Sequence, residues 1–239
     1  MGLNNSPIKA AIFDIGATLV TGPPIAPNKV IAALMDGVSA SEVSSVIMTT
    51  DLGSAREVCS ALECRFGKLS EHAIKGIVDL WDSQSSAAQE IEGATGCVLA
   101  LKDMGLKIGL LSDIWNPYYA SVEKALPQVV NIADAIVLSC RSGVRKPNCD
   151  NFHCVLSDLG IKPYEAVMIG DTYTHDILPA LELGMKAVWV LARPEREADW
   201  IIKILNDESP SPTATVMQIT DVTSLEVWPG FKAECNCKI

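Results

Sequence analysis

Short apolar runs alternate with amphipathic stretches along most of this chain. The runs are apolar almost throughout, which is typical of strands buried on both faces of a parallel sheet. The five clearest lie at residues 10–13, 107–111, 135–138, 166–169 and 187–191, and a further strand is predicted near 215–219. Between them, apolar residues three or four apart predict helices near residues 98–104, 117–126, 150–159 and 176–183. This alternation predicts a doubly wound, Rossmann-like α/β fold, a three-layer sandwich with a parallel sheet.

The segment from residue 28 to about 82 has a different pattern. Its apolar residues keep helical spacing without strand-like alternation, and Ser39 with Glu42, and Ser54 with Glu57, are spaced as capping boxes. We therefore expect a small α-helical domain inserted after the first strand. The predicted division is an α/β core of residues 1–20 and 90–230, a helical insert of residues 21–89 and a flexible tail at 231–239.

Charge and composition narrow the possible partners. The net charge of −10 and the pI of about 4.8 argue against sequence-independent binding to nucleic acid or to an anionic membrane. No apolar stretch approaches the roughly 20 residues of a membrane span. The first residues lack the apolar core of a secretory signal peptide, and the eight cysteines are irregularly spaced. We therefore expect a reduced, cytoplasmic protein. The oligomeric state stays open.

Both ends of the chain carry a weaker signal. Gly2 and Ser6 fit a loose myristoylation pattern, but no basic cluster lies nearby, so a disordered start is the preferred interpretation. Cys235 and Cys237 make half of a metal site at best.

Polar residues with catalytic chemistry follow four of the apolar runs. Asp14 ends the first run, Ser112 and Asp113 end the second, and Lys146 follows the third. The fourth run leads into residues 170–176, whose acidic members are Asp171 and Asp176. Because the carboxyl ends of parallel strands face one crevice, we expect these side chains to meet there.

In order and context, these sites resemble the four motifs of the haloacid dehalogenase superfamily. Residues 14–18 resemble the first motif, Asp-x-Asp-x-Thr, and residues 170–176 resemble the acidic Gly-Asp-x4-Asp loop. The inserted helices lie where members with an α-helical cap carry that cap. One residue departs from the pattern, because Gly16 stands where the first motif has its second Asp.

The resemblance implies a Mg²⁺-dependent, phosphatase-type hydrolase that acts on a small phosphorylated metabolite through an aspartyl-phosphate on Asp14. It implies a metal site formed by Asp14, the backbone carbonyl of Gly16, Asp171 and, through a water, Asp176. Carboxylate and carbonyl oxygens are ligands that Mg²⁺ prefers. Asp14, Ser112 and Lys146 are the expected catalytic residues. The expected substrate and phosphate contacts are Ile15 and Gly16 through their backbone amides, with Thr18, Ser112, Asp113 and Lys146.

Gly16 removes the carboxyl group that serves family phosphatases as general acid and base. Such groups typically contribute 10²–10⁴-fold in rate, so hydrolysis of a phosphomonoester is expected to be slow. Three alternatives stay open. The substrate has a good leaving group, a cap residue or Tyr173 or His175 replaces the acid, or the protein is a catalytically silent ligand-binding or regulatory relative. Three aromatic residues either line the substrate pocket or pack in the core: Trp115, Tyr118 and Tyr119.

A further alternative is hydrolysis of a carbon–phosphorus or carbon–halogen bond. Family relatives that lack the second Asp include phosphonoacetaldehyde hydrolases, which use a cap lysine, and the metal-free dehalogenases. Lys29, Lys68 and Lys75 are the candidate cap lysines here. Asp171 and Asp176 disfavour a metal-free site, because clustered carboxylates repel one another without a cation.

Overall fold

The centre of the molecule is a parallel sheet. The structure is a computed structural model, and it describes residues 7–229. Six strands form the sheet in the order β5-β4-β1-β6-β7-β8, and every neighbouring pair is parallel. A separate antiparallel pair, β2 with β3, lies at the boundaries of the inserted segment. The strands are β1 (Ala10–Phe13), β2 (Val20–Thr21), β3 (Gln89–Glu90), β4 (Lys107–Ser112), β5 (Ala135–Leu138), β6 (Ala166–Gly170), β7 (Lys186–Val190) and β8 (Ala214–Val216).

Helices cover both faces of the sheet. Alternate residues of a strand point to opposite faces; accordingly, Ala11 and Phe13 of β1 pack in one apolar cluster, and Ala10 and Ile12 pack in the other. The predicted Rossmann-like three-layer sandwich is therefore confirmed. The helices are α1 (Pro27–Ala32), α2 (Ala40–Ile47), α3 (Ala55–Phe66), α4 (Glu71–Gln84), α5 (Ala94–Asp103), α6 (Asn116–Ala125), α7 (Pro127–Ile132), α8 (Ser139–Ser142), α9 (Cys149–Leu159), α10 (Leu178–Glu182) and α11 (Ala198–Leu205).

Helices α1 to α4 lie between β2 and β3 and form a third apolar cluster of their own. The capping box at Ser39 is present in full, with Glu42 bonded back to the Ser39 amide. Trp115, from the loop after β4, inserts into this cluster and donates a hydrogen bond from Nε1 to Gln84 Oε1 at 3.2 Å. The inserted helices are thus held against the carboxyl end of β4.

Several elements differ from the sequence expectation. The last strand ends at Val216, and residues 219–224 form a 3₁₀ turn instead of continuing it. The helix expected at residues 176–183 is divided into a π-helical turn, Tyr173–Ile177, and the short helix α10. Helices α7, α8 and α11 and the β2–β3 pair were not predicted. Among the described residues, no helix is both long enough and apolar enough to cross a membrane. Gly2, Cys235, Cys237 and the predicted tail lie outside those residues.

Candidate active site

Asp14 lies at the carboxyl end of β1, between the two strands that flank it. Its carboxylate accepts hydrogen bonds from Ser112 Oγ at 3.2 Å and from Lys146 Nζ at 2.6 Å, both to Oδ1. Thr18 Oγ1 lies 3.5 Å from the other oxygen, Oδ2. Asp14, Ser112 and Lys146 are all about 95% buried. The structure thus brings together side chains that are up to 132 residues apart in sequence.

The loop after β1 turns back immediately. Ala17 has a φ of +60°, in the left-handed region that costs a non-glycine residue about 1–2 kcal/mol, and its amide donates to Val20 O at 2.7 Å. The Ile15 side chain is fully buried in the main core. A phosphate contact from Ile15 is therefore possible only through its backbone amide, as the sequence analysis expected.

Lys146 is surrounded by carboxylates. Its Nζ donates to Asp14, to Asp176 Oδ1 at 2.5 Å and to the carbonyl of Leu111 at 3.3 Å. Burial alone would lower the pKa of Lys146, but the charges of Asp14 and Asp176 outweigh it and raise the pKa above its usual value. Lys146 is therefore a permanent cation beside Asp14.

Asp113 positions this lysine. One oxygen of its carboxylate accepts from the backbone amide of Lys146 at 2.9 Å, and the other accepts from Arg145 Nε at 3.3 Å. Both oxygens therefore bind protein donors. If Asp113 contacts the phosphate as predicted, it does so through its backbone amide.

Asp171 and Asp176 follow β6. Oxygens of Asp14, Asp171 and Asp176 lie within 4.8 Å of one another, and all three residues are buried. The Asp176 carboxylate packs directly on Gly170, where an added Cβ would lie 2.4 Å from Asp176 Cγ, and it accepts from the Thr172 amide at 3.0 Å. Three converging carboxylates form a hard-oxygen donor set that fits Mg²⁺.

Burial destabilises the charged forms of these acids. It raises the pKa of Asp176 to about 7 against the opposing effect of Lys146. Burial, together with the Asp14 charge, also raises the pKa of Asp171, and Arg193 opposes that rise. A divalent cation between the carboxylates would stabilise their charged forms.

Arg193 is the site residue that sequence reasoning missed. It follows β7, and its Nη2 donates to Asp171 Oδ2. The side chain is 37% exposed, but its Nε atom is buried and has no hydrogen-bond partner in residues 7–229. No sequence motif marks Arg193, because its contact depends on how the loop after β7 folds back over the β6 loop.

Tyr173 and His175, the two side chains considered as replacements for the missing acid, have different surroundings. Tyr173 is fully buried, stacks on Trp200 and donates from its hydroxyl to the carbonyl of Pro210 at 2.6 Å. Its hydroxyl is thus engaged away from Asp14, and Tyr173 does not replace the missing acid. His175 pairs through Nδ1 with Thr174 Oγ1 at 3.0 Å, and burial lowers its pKa. It is therefore a neutral imidazole near pH 7.

A cavity of about 690 Å³ opens between the inserted helices and the ends of the strands. Gly16 and Asp113 lie at its inner end, and most of its wall is apolar. Of the three aromatic residues considered, Trp115 and Tyr118 line this cavity, whereas Tyr119 packs in the main core. The cavity-lining residues include none of the three cap lysines, which are exposed: Lys29, Lys68 and Lys75.

Gly16 faces open space in this cavity. A Cβ added to Gly16 would meet no heavy atom within 4 Å, apart from its own chain neighbours, and its backbone is outside the left-handed region. The carboxyl side chain that the motif lacks would therefore have room.

Comparison with known proteins places the chain among hydrolases. The family model described as haloacid dehalogenase-like hydrolase matches residues 8–184. A glyceraldehyde 3-phosphate phosphatase from Pyrococcus furiosus is 30% identical over 114 residues, 48% of this chain and 47% of that protein. The match therefore spans about half the length of that relative. A glyceraldehyde 3-phosphate phosphatase from Methanocaldococcus jannaschii is 26% identical over 196 residues, 77% of this chain and 85% of that protein.

Solved structures share the fold at lower identity. A HAD family enzyme from Bacteroides thetaiotaomicron has a TM-score of 0.61 at 21% identity, covering 82% of this chain and 99% of that one. The same enzyme, in complex with magnesium and inorganic phosphate, has a TM-score of 0.59 at 21% identity, covering 78% and 96%. L-2-haloacid dehalogenase from Xanthobacter autotrophicus has a TM-score of 0.56 at 17% identity, covering 90% and 97%.

Proposed function

The chain belongs to the haloacid dehalogenase-like hydrolase family, and we propose that it hydrolyses a small phosphorylated molecule with Mg²⁺ as its cofactor. The observation that carries this proposal is the set of contacts around Asp14. A buried carboxylate lies against a permanent cation, Lys146, and within reach of two further carboxylates, Asp171 and Asp176. Relatives named as glyceraldehyde 3-phosphate phosphatases support a phosphatase-type reaction.

Asp14 is the proposed nucleophile. Its carboxylate would attack the phosphorus atom and break the bond to the substrate oxygen, which leaves as an alkoxide and takes a proton from solvent. Water would then hydrolyse the resulting aspartyl-phosphate to inorganic phosphate and the free Asp14 carboxylate. Lys146 and Ser112 already contact Asp14 Oδ1, and they would donate hydrogen bonds to the phosphoryl oxygens as charge develops there. The remaining proposed phosphate contacts are the backbone amides of Ile15, Gly16 and Asp113, and the hydroxyl of Thr18.

The proposed metal ligands are Asp14, the Gly16 carbonyl and Asp171, with Asp176 acting through a water. When bound, Mg²⁺ would neutralise these carboxylates and stabilise the charge of the phosphoryl group. The magnesium and phosphate complex of the Bacteroides thetaiotaomicron neighbour supports this choice of ion. The proposed domain division follows the sequence: helices within residues 21–89 cap a core formed by residues 1–20 and 90–230.

The absence of a carboxyl group at Gly16 supports a second candidate function: the protein binds a ligand at the same site without catalysing its hydrolysis. Without the second Asp, the leaving group and the attacking water have no carboxyl group at position 16. Slow turnover follows unless the substrate supplies what is missing. A Schiff-base mechanism for carbon–phosphorus cleavage is disfavoured, because the three cap lysines lie outside the cavity lining. A metal-free carbon–halogen hydrolase is disfavoured by the clustered carboxylates.

The test is a panel of small phosphorylated compounds assayed with Mg²⁺ and with EDTA. Asp14→Asn should abolish phosphate release, whereas Asp158→Asn, an exposed aspartate on α9, should leave it unchanged. Turnover that is equal in the wild type and Asp14→Asn would show that the assignment is wrong.

A further inference from the structure

The cavity in front of the strand ends combines an apolar wall with one cation. Of its lining residues, which all belong to the described part of the chain, Arg193 is the only one with a positively charged side chain. The apolar part of the wall includes Ile25, Met48 and Ile114 and the rings of Trp115 and Tyr118. An apolar wall with a few placed polar groups is typical of a site that binds the organic part of a small ligand.

Arg193 has hydrogen-bonding capacity that the protein leaves unused. A guanidinium carries five N–H donors and never loses its charge. In residues 7–229 its hydrogen bond goes to Asp171, and its buried Nε has no acceptor. Because the Nε atom is shielded from solvent, an anionic group in the cavity would be bound by the terminal N–H donors of this 37% exposed side chain, which lines the cavity.

Gly16 adds an independent observation about the same cavity. Space for a side chain is present at position 16, and apart from its own chain neighbours no heavy atom lies within 4 Å of the Cβ position. The inner end of the cavity therefore has room for a ligand group beside the phosphoryl site. No side-chain carboxylate at position 16 repels an anion there. The Asp113 carboxylate lines the same cavity, but it is paired with Arg145 and with the Lys146 backbone amide.

From these observations we propose that the substrate carries a second anionic group, a carboxylate or a second phosphate, which binds in the part of the cavity lined by Gly16 and Arg193. This inference rests on the proposed function, because it assumes that the first phosphate binds at Asp14. Arg193 is then a specificity-determining residue that selects doubly anionic substrates with an apolar or aromatic body. Its planar fork of donors matches a carboxylate or a phosphate in a bidentate pair.

Matched substrates test this proposal. The probes are phenyl phosphate, its ortho-, meta- and para-carboxyl derivatives, and 1,4-phenylene bisphosphate. We expect wild-type kcat/KM to favour at least one doubly anionic probe over phenyl phosphate. Arg193→Gln should reduce that preference about tenfold or more, since a hydrogen bond to a charged group is worth roughly that factor. Arg196→Gln removes an exposed arginine three residues away and should keep the preference.

Binding provides a readout that does not depend on turnover. In Asp14→Asn, calorimetric titration in Mg²⁺ should give tighter binding of the preferred probe than of phenyl phosphate, and Arg193→Gln in that background should remove the difference. Gly16→Asp places a negative charge in the same space and should also reduce the preference. The carboxyl and bisphosphate probes distinguish the two sources of the anion.

The outcomes separate this inference from the proposed function. If Asp14→Asn abolishes turnover but the wild type treats all probes alike, the second-anion site is wrong and the phosphatase proposal stands. If Arg193→Gln lowers kcat/KM equally for every probe, Arg193 acts by positioning Asp171, and this result would also overturn the inference. If the wild type releases no phosphate but binding still depends on the second anion and on Arg193, the anion site holds and the hydrolase proposal fails.

Discussion

Replacing Gly16 by Asp is the most informative single substitution. Apart from its own chain neighbours, no heavy atom lies within 4 Å of the added Cβ, and the backbone needs no left-handed conformation, so position 16 accepts a side chain. If the only missing component is a general acid and base, the substitution should raise kcat/KM for a phosphomonoester by 10²–10⁴-fold. That factor corresponds to about 3–5 kcal/mol of transition-state stabilisation.

The new carboxylate also has a cost. It would join Asp14, Asp171 and Asp176, whose oxygens already lie within 4.8 Å of one another. The additional repulsion should lower the melting temperature of Gly16→Asp without metal, and Mg²⁺ should restore it. Comparing melting curves with and without Mg²⁺ therefore checks that the substitution acts at the proposed metal site.

The assay compares four proteins with phenyl phosphate and Mg²⁺: the wild type, Gly16→Asp, Gly16→Asn and the double variant with Asp14→Asn. Gly16→Asn has nearly the same size as Gly16→Asp but cannot exchange a proton, so only Gly16→Asp should gain activity. The double variant should be inactive, because the gain requires the nucleophile. A Gly16→Asp protein that binds Mg²⁺ and is no faster than Gly16→Asn would refute the reasoning and favour the silent ligand-binding protein.

Two further predictions concern Mg²⁺ binding at Asp176 and the pH dependence of the stability of the fold. Gly170→Ala would bring a Cβ within 2.4 Å of Asp176 Cγ, so calorimetry should show weaker Mg²⁺ binding. Gly96→Ala, on an open helix surface, should leave metal binding unchanged and stabilise the fold by about 0.5–1 kcal/mol. Burial would raise the pKa of Asp134, but its hydrogen bonds, including that from Lys102, lower the pKa below 3.8. A carboxylate with a lowered pKa contributes stability above its unfolded-state pKa and loses it as the pH falls. In urea unfolding, Asp134→Asn should therefore cost about 1 kcal/mol at pH 7 and progressively less as the pH falls below the unfolded-state pKa of about 4. A cost independent of pH would contradict this.

Five of the six strands of the sheet were predictable because each is largely buried on both faces and is an almost unbroken apolar run. The run at 166–169 is an example, and every residue of β6 is buried. The edge strand β8 has an exposed residue, Thr215, and its extent was not predicted. Helix α11 was missed although its apolar face packs against the core through Trp200, Ile201 and Ile204. It is only eight residues long and starts without a side-chain cap, so it lacks the usual signal for a helix start.

The candidate site was predictable as far as it depends on strand ends. Asp14 and Ser112 meet because the sheet order places β1 beside β4, and Lys146 reaches them from the segment after β5, the neighbour of β4. This convergence of strand ends follows from a doubly wound fold. Contacts that depend on loop conformation were not predictable. Arg193 reaches Asp171 from the loop after β7, and the Tyr173 hydroxyl points to Pro210 instead of the site. The direction in which each of these side chains points is set by tertiary packing, so no local sequence pattern predicts it.

The proposed function depends on phosphorylation of Asp14 during turnover. Because Gly16 cannot activate water, breakdown of the aspartyl-phosphate should be slow. With a substrate whose leaving group needs no acid, formation should outpace breakdown and the intermediate should accumulate. The direct measurement is rapid acid quench of the wild type with Mg²⁺ and a turned-over substrate, followed by peptide mass spectrometry. We expect the added mass of one phosphoryl group on Asp14, and no such adduct in Asp14→Asn. Phosphate release without an adduct on Asp14, or with the adduct on another residue, would contradict it.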